Sequence, residues 1–127
     1  PLFTTTSLLG WGGLSSPGFI TLDNPGTADT WPLFNVTGPL TGGFELVALQ
    51  TGRRIRWETD VPAGVTVALD SRTGAVSYDG APGYDGELTA RQWWPVPAGG
   101  ARTVQINPLG APDPAAQLEA VWAPAYW

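Results

Sequence analysis

The sequence predicts an all-β fold, an antiparallel β-sandwich of about nine short strands. Apolar and polar residues alternate with period two in one run after another, and no run keeps a helical period. The chain contains 17 Gly and 13 Pro residues, many of them between these runs, where turns are expected. Seven Trp, three Tyr and four Phe residues supply a core, and 127 residues correspond to one domain.

The alternating runs define nine predicted strands, at residues 18–23, 31–38, 44–50, 53–60, 65–70, 75–78, 87–94, 101–106 and 117–122. The run at 53–60 is the clearest, because Ile55, Trp57 and Thr59 share one face while four charged side chains share the other. One buried face and one solvated face are typical of an antiparallel sheet.

The run at 117–122 has an alternative interpretation as a short helix that Pro114 would begin at its first position. Leu118, Ala120 and Trp122 share one phase of a strand, which favours the strand. The same phase argument, applied to the successive strands, predicts a buried core made of Ile55, Trp57, Val67, Leu69, Leu88, Trp94, Val104, Ile106 and Trp122.

Five turn residues have predicted structural roles. Gly38 and Pro39 end the second strand, and Gly74 adopts a positive φ where it closes the turn of the 65–78 hairpin. Pro95 and Pro97 shape the loop that follows Trp94.

The domain organisation is a linker or edge segment at residues 1–17 followed by a single sandwich domain at 18–127. The first 22 residues carry no charge, but their Thr, Ser, Gly and Pro content does not suit a membrane span. They also lack the positive start of a signal peptide. We therefore expect no membrane association.

The composition excludes several kinds of chemistry. The chain has no Cys and no His, which excludes disulfides, thiolate zinc sites and Ser-His-Asp triads. All six basic residues are Arg, so lysine Schiff bases are excluded too. A net charge of −5 argues against a nucleic-acid partner, which would need a basic patch.

Carboxylates are the remaining candidates for catalysis or metal binding. Asp79, Asp85 and Glu87 cluster in one loop, where a pair could cleave a glycosidic bond or the loop could bind calcium. The spacing does not match an EF-hand, and Asp before Gly is common turn chemistry. We predict no enzymatic activity, no metal and no cofactor. The glycosylation pattern at residues 35–37 is interpreted as chance, since it lies within a predicted strand.

An exposed aromatic side chain is the candidate binding feature. The alternation of the 87–94 run places Trp94 inside and Trp93 outside, on the same face as Thr89 and Arg91. Trp31 lies near a loop. Flat aromatic faces stack on sugars or pack against partner proteins. Trp93, Arg91, Thr89 and Trp31 are therefore the predicted binding residues.

Three stretches, taken in order, resemble the C-terminal domain of siphovirus distal tail and minor tail proteins. Residues 24–39 resemble the run N-x-G-x-x-x-T-x-P that ends in G-P. Residues 65–76 resemble a hairpin with Asp, Arg and Thr before the return strand, and residues 93–99 resemble the turn W-x-P-L-x-P-G. Abundant Ala, Gly, Pro and Arg without Lys are similar to an actinobacterial-phage composition. Residues 99–102 depart from the polar G-x-N that often follows the turn.

The resemblance implies a galectin-like, or jelly-roll, sandwich in the phage virion, at the tail tip or baseplate. The family's ring is built by an N-terminal domain, and this sequence corresponds to the sandwich half. The implied function is a scaffold or adhesion domain that docks on other phage tail proteins. The alternative function is a carbohydrate-binding module that contacts host cell-wall or capsule polysaccharide through Trp93. We expect the isolated domain to be a monomer.

Overall fold

The computed structural model describes residues 5–10, 18–110 and 116–122. This part of the chain contains eleven strands and one short 3-10 helix, Asp85–Glu87. The strands are β1 (Thr5–Gly10), β2 (Gly18–Asn24), β3 (Leu33–Thr37), β4 (Phe44–Ala48), β5 (Arg54–Trp57), β6 (Thr66–Asp70), β7 (Ala75–Tyr78), β8 (Ala81–Pro82), β9 (Leu88–Arg91), β10 (Gly100–Pro108) and β11 (Gln117–Trp122).

The strands form two sheets. One has six strands in the order β1-β11-β3-β6-β7-β8, and the other has five in the order β2-β10-β4-β5-β9. Every pair of neighbouring strands is antiparallel. The prediction of an all-β antiparallel sandwich is confirmed. Nine of the strands correspond to the nine predicted runs, and 117–122 is a strand rather than a helix.

The core lies between the sheets, as the phase of the strands predicts. All nine predicted core residues are buried, from Ile55 to Trp122. Trp94 packs against Phe34 with ring centroids 5.8 Å apart. Trp57 stacks on Tyr78 at 6.1 Å, and Tyr78 stacks in turn on Tyr84 at 5.2 Å. Large aromatic side chains from both sheets thus fill much of the interior.

The predicted turn residues have the expected roles. Gly38 follows the end of β3 and joins Pro39 through a cis peptide bond. A Cβ on Gly38 would collide with the carbonyl oxygens of Val61 and Pro62, so only glycine fits there. Gly74 has a φ of 76° in the turn between β6 and β7, a conformation that favours glycine.

The predicted ends of the 53–60 and 87–94 strands were wrong. The 53–60 strand ends at Trp57, and Thr59 is exposed rather than facing the core. The chain turns away there because the Asp60 carboxylate accepts a hydrogen bond of 2.6 Å from Gly42 N, while Val61 pairs with Leu40. The 87–94 strand ends at Arg91.

The segment predicted as a linker or an edge contains an edge strand. Within residues 1–17, strand β1 pairs with β11 at the edge of the six-stranded sheet. Residues 1–4 and 11–17 of this segment lie outside the described part of the chain, as do 111–115 and 123–127. No helix in the described ranges is long and apolar enough to cross a membrane.

Candidate functional site

The Asn24 side chain joins two distant parts of the sequence. Asn24 is buried at the end of β2, and its Oδ1 accepts a hydrogen bond of 3.0 Å from Gly26 N. Its Nδ2 donates to the carbonyl oxygens of Ala28 at 2.8 Å and Val96 at 3.1 Å. The turn after β2 is therefore held against the loop between Trp94 and Gly99.

Further hydrogen bonds join the same two loops. Thr30 and Val96 exchange backbone hydrogen bonds of 3.0 and 2.7 Å. The Asp29 carboxylate accepts from Ala98 N at 3.1 Å, and Gly99 N donates to Gly26 O at 3.1 Å. Pro95 and Pro97 flank Val96 within this loop.

The β6–β7 turn completes the same region. Ser71 is buried, and both its backbone N–H and its hydroxyl donate to the carbonyl oxygen of Pro32. A Cβ on Gly74 would lie 3.3 Å from the indole nitrogen of Trp93. Residues 24–32, 71–74 and 93–99 thus form one end of the sandwich, which we call the motif end.

The prediction that Trp93 is exposed was wrong. Trp93 is half-buried and packs against the hydrophobic core. The alternation that placed it outside applies only within a strand, and β9 ends at Arg91, before this residue. Its carbonyl oxygen accepts a hydrogen bond of 2.9 Å from Arg53 Nε, which ties this segment to the start of β5.

The other predicted binding residues, Thr89, Arg91 and Trp31, are accessible. Thr89 and Arg91 are exposed on β9, and the Thr89 hydroxyl donates to Arg56 O at 3.5 Å. Trp31 is 41% exposed and precedes β3, in the other sheet. Among the described residues, no hydrogen bond or ring contact joins Trp31 to the other three.

A polar cleft opens on the outer face of the six-stranded sheet. We call it the polar cleft; it is lined by Asn35, Thr37, Thr66, Gln117 and Glu119 and has a volume of about 270 Å³. Gln117, Thr37 and Thr66 lie opposite one another across β11, β3 and β6. Glu119 lies opposite Asn35 in the adjacent row. The intervening residues of these strands are buried in the core.

Two side-chain hydrogen bonds fix the lining of the polar cleft. Asn35 Nδ2 donates to Glu119 Oε1 at 3.0 Å, and the hydroxyls of Thr37 and Thr66 lie 2.9 Å apart. Glu119 is the one charged side chain among the lining residues that the structure describes. The cleft therefore presents hydroxyl, amide and carboxylate groups in fixed positions, which suits binding through hydrogen bonds.

The polar cleft was not predicted from the sequence. Its residues come from three strands, and which residues lie side by side depends on the register between strands. One signal was present in the sequence. Alternation assigned Asn35, Thr37 and Thr66 to the polar faces of their strands, and it did the same for Gln117 and Glu119. A second surface depression of about 360 Å³ lies beside the motif end, at residues 23–25 and 99–101. In that depression the Asn24 side-chain amide already donates hydrogen bonds to the carbonyl oxygens of Ala28 and Val96.

The carboxylates that were candidates for catalysis or metal binding are exposed. Asp79 adopts a φ of 50°, and Asp85 and Glu87 lie in the 3-10 helix before β9. Within the described ranges, no group of three or more His, Cys, Asp or Glu side chains could hold a metal ion.

A buried carboxylate lies instead on the outer face of the five-stranded sheet. Glu45 is 7% exposed on β4, and its Oε2 lies 3.3 Å from Arg54 Nη1 and 3.6 Å from Arg56 Nη1. Asn107 Nδ2 donates to Oε1 at 3.3 Å. Both carboxylate oxygens therefore have partners on the neighbouring strands β5 and β10, so the buried charge is not left unpaired.

Comparison with known proteins adds no relative. No family model matches the sequence, and no curated protein or solved structure matches it significantly.

Proposed function

We propose that this chain is a non-enzymatic component of a phage tail, a sandwich domain that acts as a scaffold or adhesion module at the tail tip. The proposal rests on the resemblance of residues 24–39, 65–76 and 93–99 to siphovirus distal tail and minor tail proteins. The observation that carries it is the meeting of these three stretches at the motif end.

Short motifs rich in Gly, Pro and Asn often agree by chance, because many turns use the same residues. Here the residues of the motifs meet specific physical demands. Asn24 satisfies three backbone groups, Gly38 lies where no Cβ fits, and Gly74 adopts a positive φ. Local requirements that agree with the overall fold are expected of a real structural pattern. This agreement supports the resemblance.

A non-enzymatic role is supported by the composition and by the exposure of the loop carboxylates. The chain has no His, Cys or Lys, and its loop carboxylates, Asp79, Asp85 and Glu87, are exposed. Asp beside Gly commonly serves the turns of such a loop, so binding or assembly is the better explanation of this domain.

The test is whether the chain is part of a virion. Particles of the phage that encodes it are purified and analysed by mass spectrometry, and antibodies to the purified domain are used for gold labelling in the electron microscope. We expect its peptides in the particles and label at the tail tip; antibody pre-absorbed with the domain is the control. Peptides absent from purified virions, label on the capsid, or a gene outside any phage or prophage would refute the proposal.

The polar cleft favours a second candidate, a carbohydrate-binding module. Sugar sites combine several fixed hydrogen-bonding groups in a shallow depression, and the five lining residues provide such a set. The two functions are compatible, because an adhesion module of a tail would act by contacting host polysaccharide. The original reason for this candidate, an exposed Trp93, no longer holds, since Trp93 is half-buried.

A further inference from the structure

We infer that the polar cleft binds a neutral, hydroxyl-rich segment of a polysaccharide, with Asn35 and Glu119 as its central contacts. This inference rests on the proposed adhesion role and gives that role a site and a class of ligand. It moves the predicted sugar contact from Trp93 to the outer face of β3, β6 and β11.

The hydrogen-bonding capacity of the lining matches hydroxyl groups. Asn35 uses one of its two amide hydrogens on Glu119, which leaves its other N–H and its carbonyl oxygen available. One hydrogen bond joins the Thr37 and Thr66 hydroxyls, so one of the two keeps its hydrogen for another acceptor. Gln117 is exposed with a complete amide group. The cleft thus offers donors and acceptors side by side. A sugar hydroxyl both donates and accepts, so it can pair with either kind of group.

The charge of the cleft selects a neutral ligand. Among the described lining residues Glu119 alone is charged, and none of them is Arg. Its Oε1 accepts from Asn35, and its Oε2 remains an acceptor for a hydroxyl donor. Hydrogen bonds from a hydroxyl to a carboxylate are strong. Phosphate or uronate groups would meet this carboxylate and the net charge of −5 of the whole chain, and would be repelled.

Four of the five described lining side chains are hydrogen-bonded to one another before any ligand arrives. Its side chains stand on three neighbouring strands, β11, β3 and β6, whose opposite faces are packed in the core. Preorganised groups lose little freedom on binding. The volume of about 270 Å³ lies just below the usual range of small-molecule sites, about 300–1,000 Å³, so a short saccharide segment fits rather than a long chain. None of the five described lining residues is aromatic, so we expect weak binding, with Kd on the order of 1 mM.

Nuclear magnetic resonance titration of the ¹⁵N-labelled domain measures binding in this range and maps it by residue. The probes are neutral oligosaccharides built from glucose, galactose or mannose, with oligogalacturonate as the acidic comparison. We expect saturable shifts for at least one neutral probe, centred on the amides of 35–37, 66 and 117–119. Oligogalacturonate should bind at least about tenfold more weakly.

Matched variants separate the cleft from the rest of the surface. Glu119→Gln removes the carboxylate charge and Asn35→Ala removes the amide, and each should raise Kd about tenfold or more. Thr66→Val replaces a hydroxyl by a methyl and should raise Kd severalfold. Ser77→Ala lies in the same sheet but outside the lining, and should bind like the parent, as should Trp31→Ala. Amide spectra of each variant verify that it remains folded.

Three results of the sugar titrations would each overturn the inference. The first is the absence of a saturable shift with every neutral probe, the second is a set of shifts centred on Trp31 or Trp93, and the third is tighter binding of the acidic probe. Because the ligand could instead be a protein, a tail protein that protects the same amides while no sugar does would also overturn it. None of these results alters whether the chain is found in virions, so a failure of this inference is distinct from a failure of the proposed function.

Discussion

Replacing Asn24 tests the central feature of the motif end. Asn24→Ala removes three hydrogen bonds, to Gly26 N, Ala28 O and Val96 O, and the last joins residues that are far apart in the sequence. The bonds to Gly26 and Val96 lie in buried surroundings, while the bond to Ala28 is partly buried. The alanine side chain can pair with none of the three groups.

The expected loss of stability follows from this inventory. A buried polar group left without a partner costs about 1–3 kcal/mol, and a partly exposed group can recover a partner from water. Two buried groups and one partly buried group therefore give a loss of about 3 kcal/mol. For a domain of this size the total free energy of unfolding is about 5–15 kcal/mol, so the effect is a large fraction of it.

Urea denaturation followed by tryptophan fluorescence measures this change in the free energy of unfolding. If its slope against urea concentration is the same for variant and parent, the two unfolding transitions can be compared directly. Thr21→Ala is the matched control on β2, because Thr21 is exposed and makes one long side-chain contact of 3.5 Å with Thr103. It should change the stability by less than about 0.5 kcal/mol. A loss below about 1 kcal/mol for Asn24→Ala would show that water replaces the amide, and that the motif end does not depend on it.

Asn24→Asp gives the same test a pH dependence. The substitution keeps the acceptor for Gly26 N but places carboxylate oxygens against the carbonyls of Ala28 and Val96. These surroundings raise the pKa of the introduced carboxyl in the folded state above its value in the unfolded chain. Stability is then retained at low pH and lost as the pH rises. We expect a larger difference from the parent at pH 7 than at pH 4, and an equal difference at both would contradict the assigned orientation of the amide.

Four further predictions concern the core, the cis turn, metals and assembly. Trp57→Ala should reduce the free energy of unfolding by about 3–5 kcal/mol in urea titrations, while Trp57→Phe should cost clearly less, because the buried indole N–H of Trp57 has no partner among the described residues. Gly38→Ala should lower stability by about 3 kcal/mol or more, since its methyl would collide with the Val61 carbonyl oxygen; a neutral effect would mean that this backbone can move. Calorimetry with and without a chelator should give the same Tm, and a drop that calcium restores would assign Asp79 and Asp85 as ligands. Light scattering after size exclusion should find a monomer at micromolar concentration, as the net charge of −5 favours; a stable trimer or hexamer would reveal an assembly interface in this domain.

The fold could be predicted because each long strand carries its own periodic signal. In β11 the buried residues alternate strictly, and in β3 they do so as well. The signal failed for β8, which has two residues, one of them Pro82. It also failed for β1, whose residues contain no charge to mark an outer face. Strands of this kind are specified by their neighbours, β7 and β11, rather than by their own pattern.

The candidate site could not be predicted in the same way. The error at Trp93 arose because alternation was continued past Arg91, where the strand ends. The polar cleft depends on the pairing of Thr37 with both Gln117 and Thr66, residues separated by long stretches of chain. Period two assigns each residue to a face, but it does not say which strands are neighbours. A site on the face of a sheet can therefore be predicted only when the order and register of the strands are known.

The topology also constrains the order in which the molecule can form during synthesis. Strand β1 hydrogen-bonds with β11, and β2 hydrogen-bonds with β10, so the two strands nearest the start of the chain have their ladder partners near its other end. A ribosome must therefore release nearly the whole domain before either strand can complete its pairing. Until then the apolar residues of β2, Ile20 and Leu22, are exposed to the cell, where chaperones or aggregation compete with folding. Pairings that are so distant in sequence predict slow folding for a domain of this size.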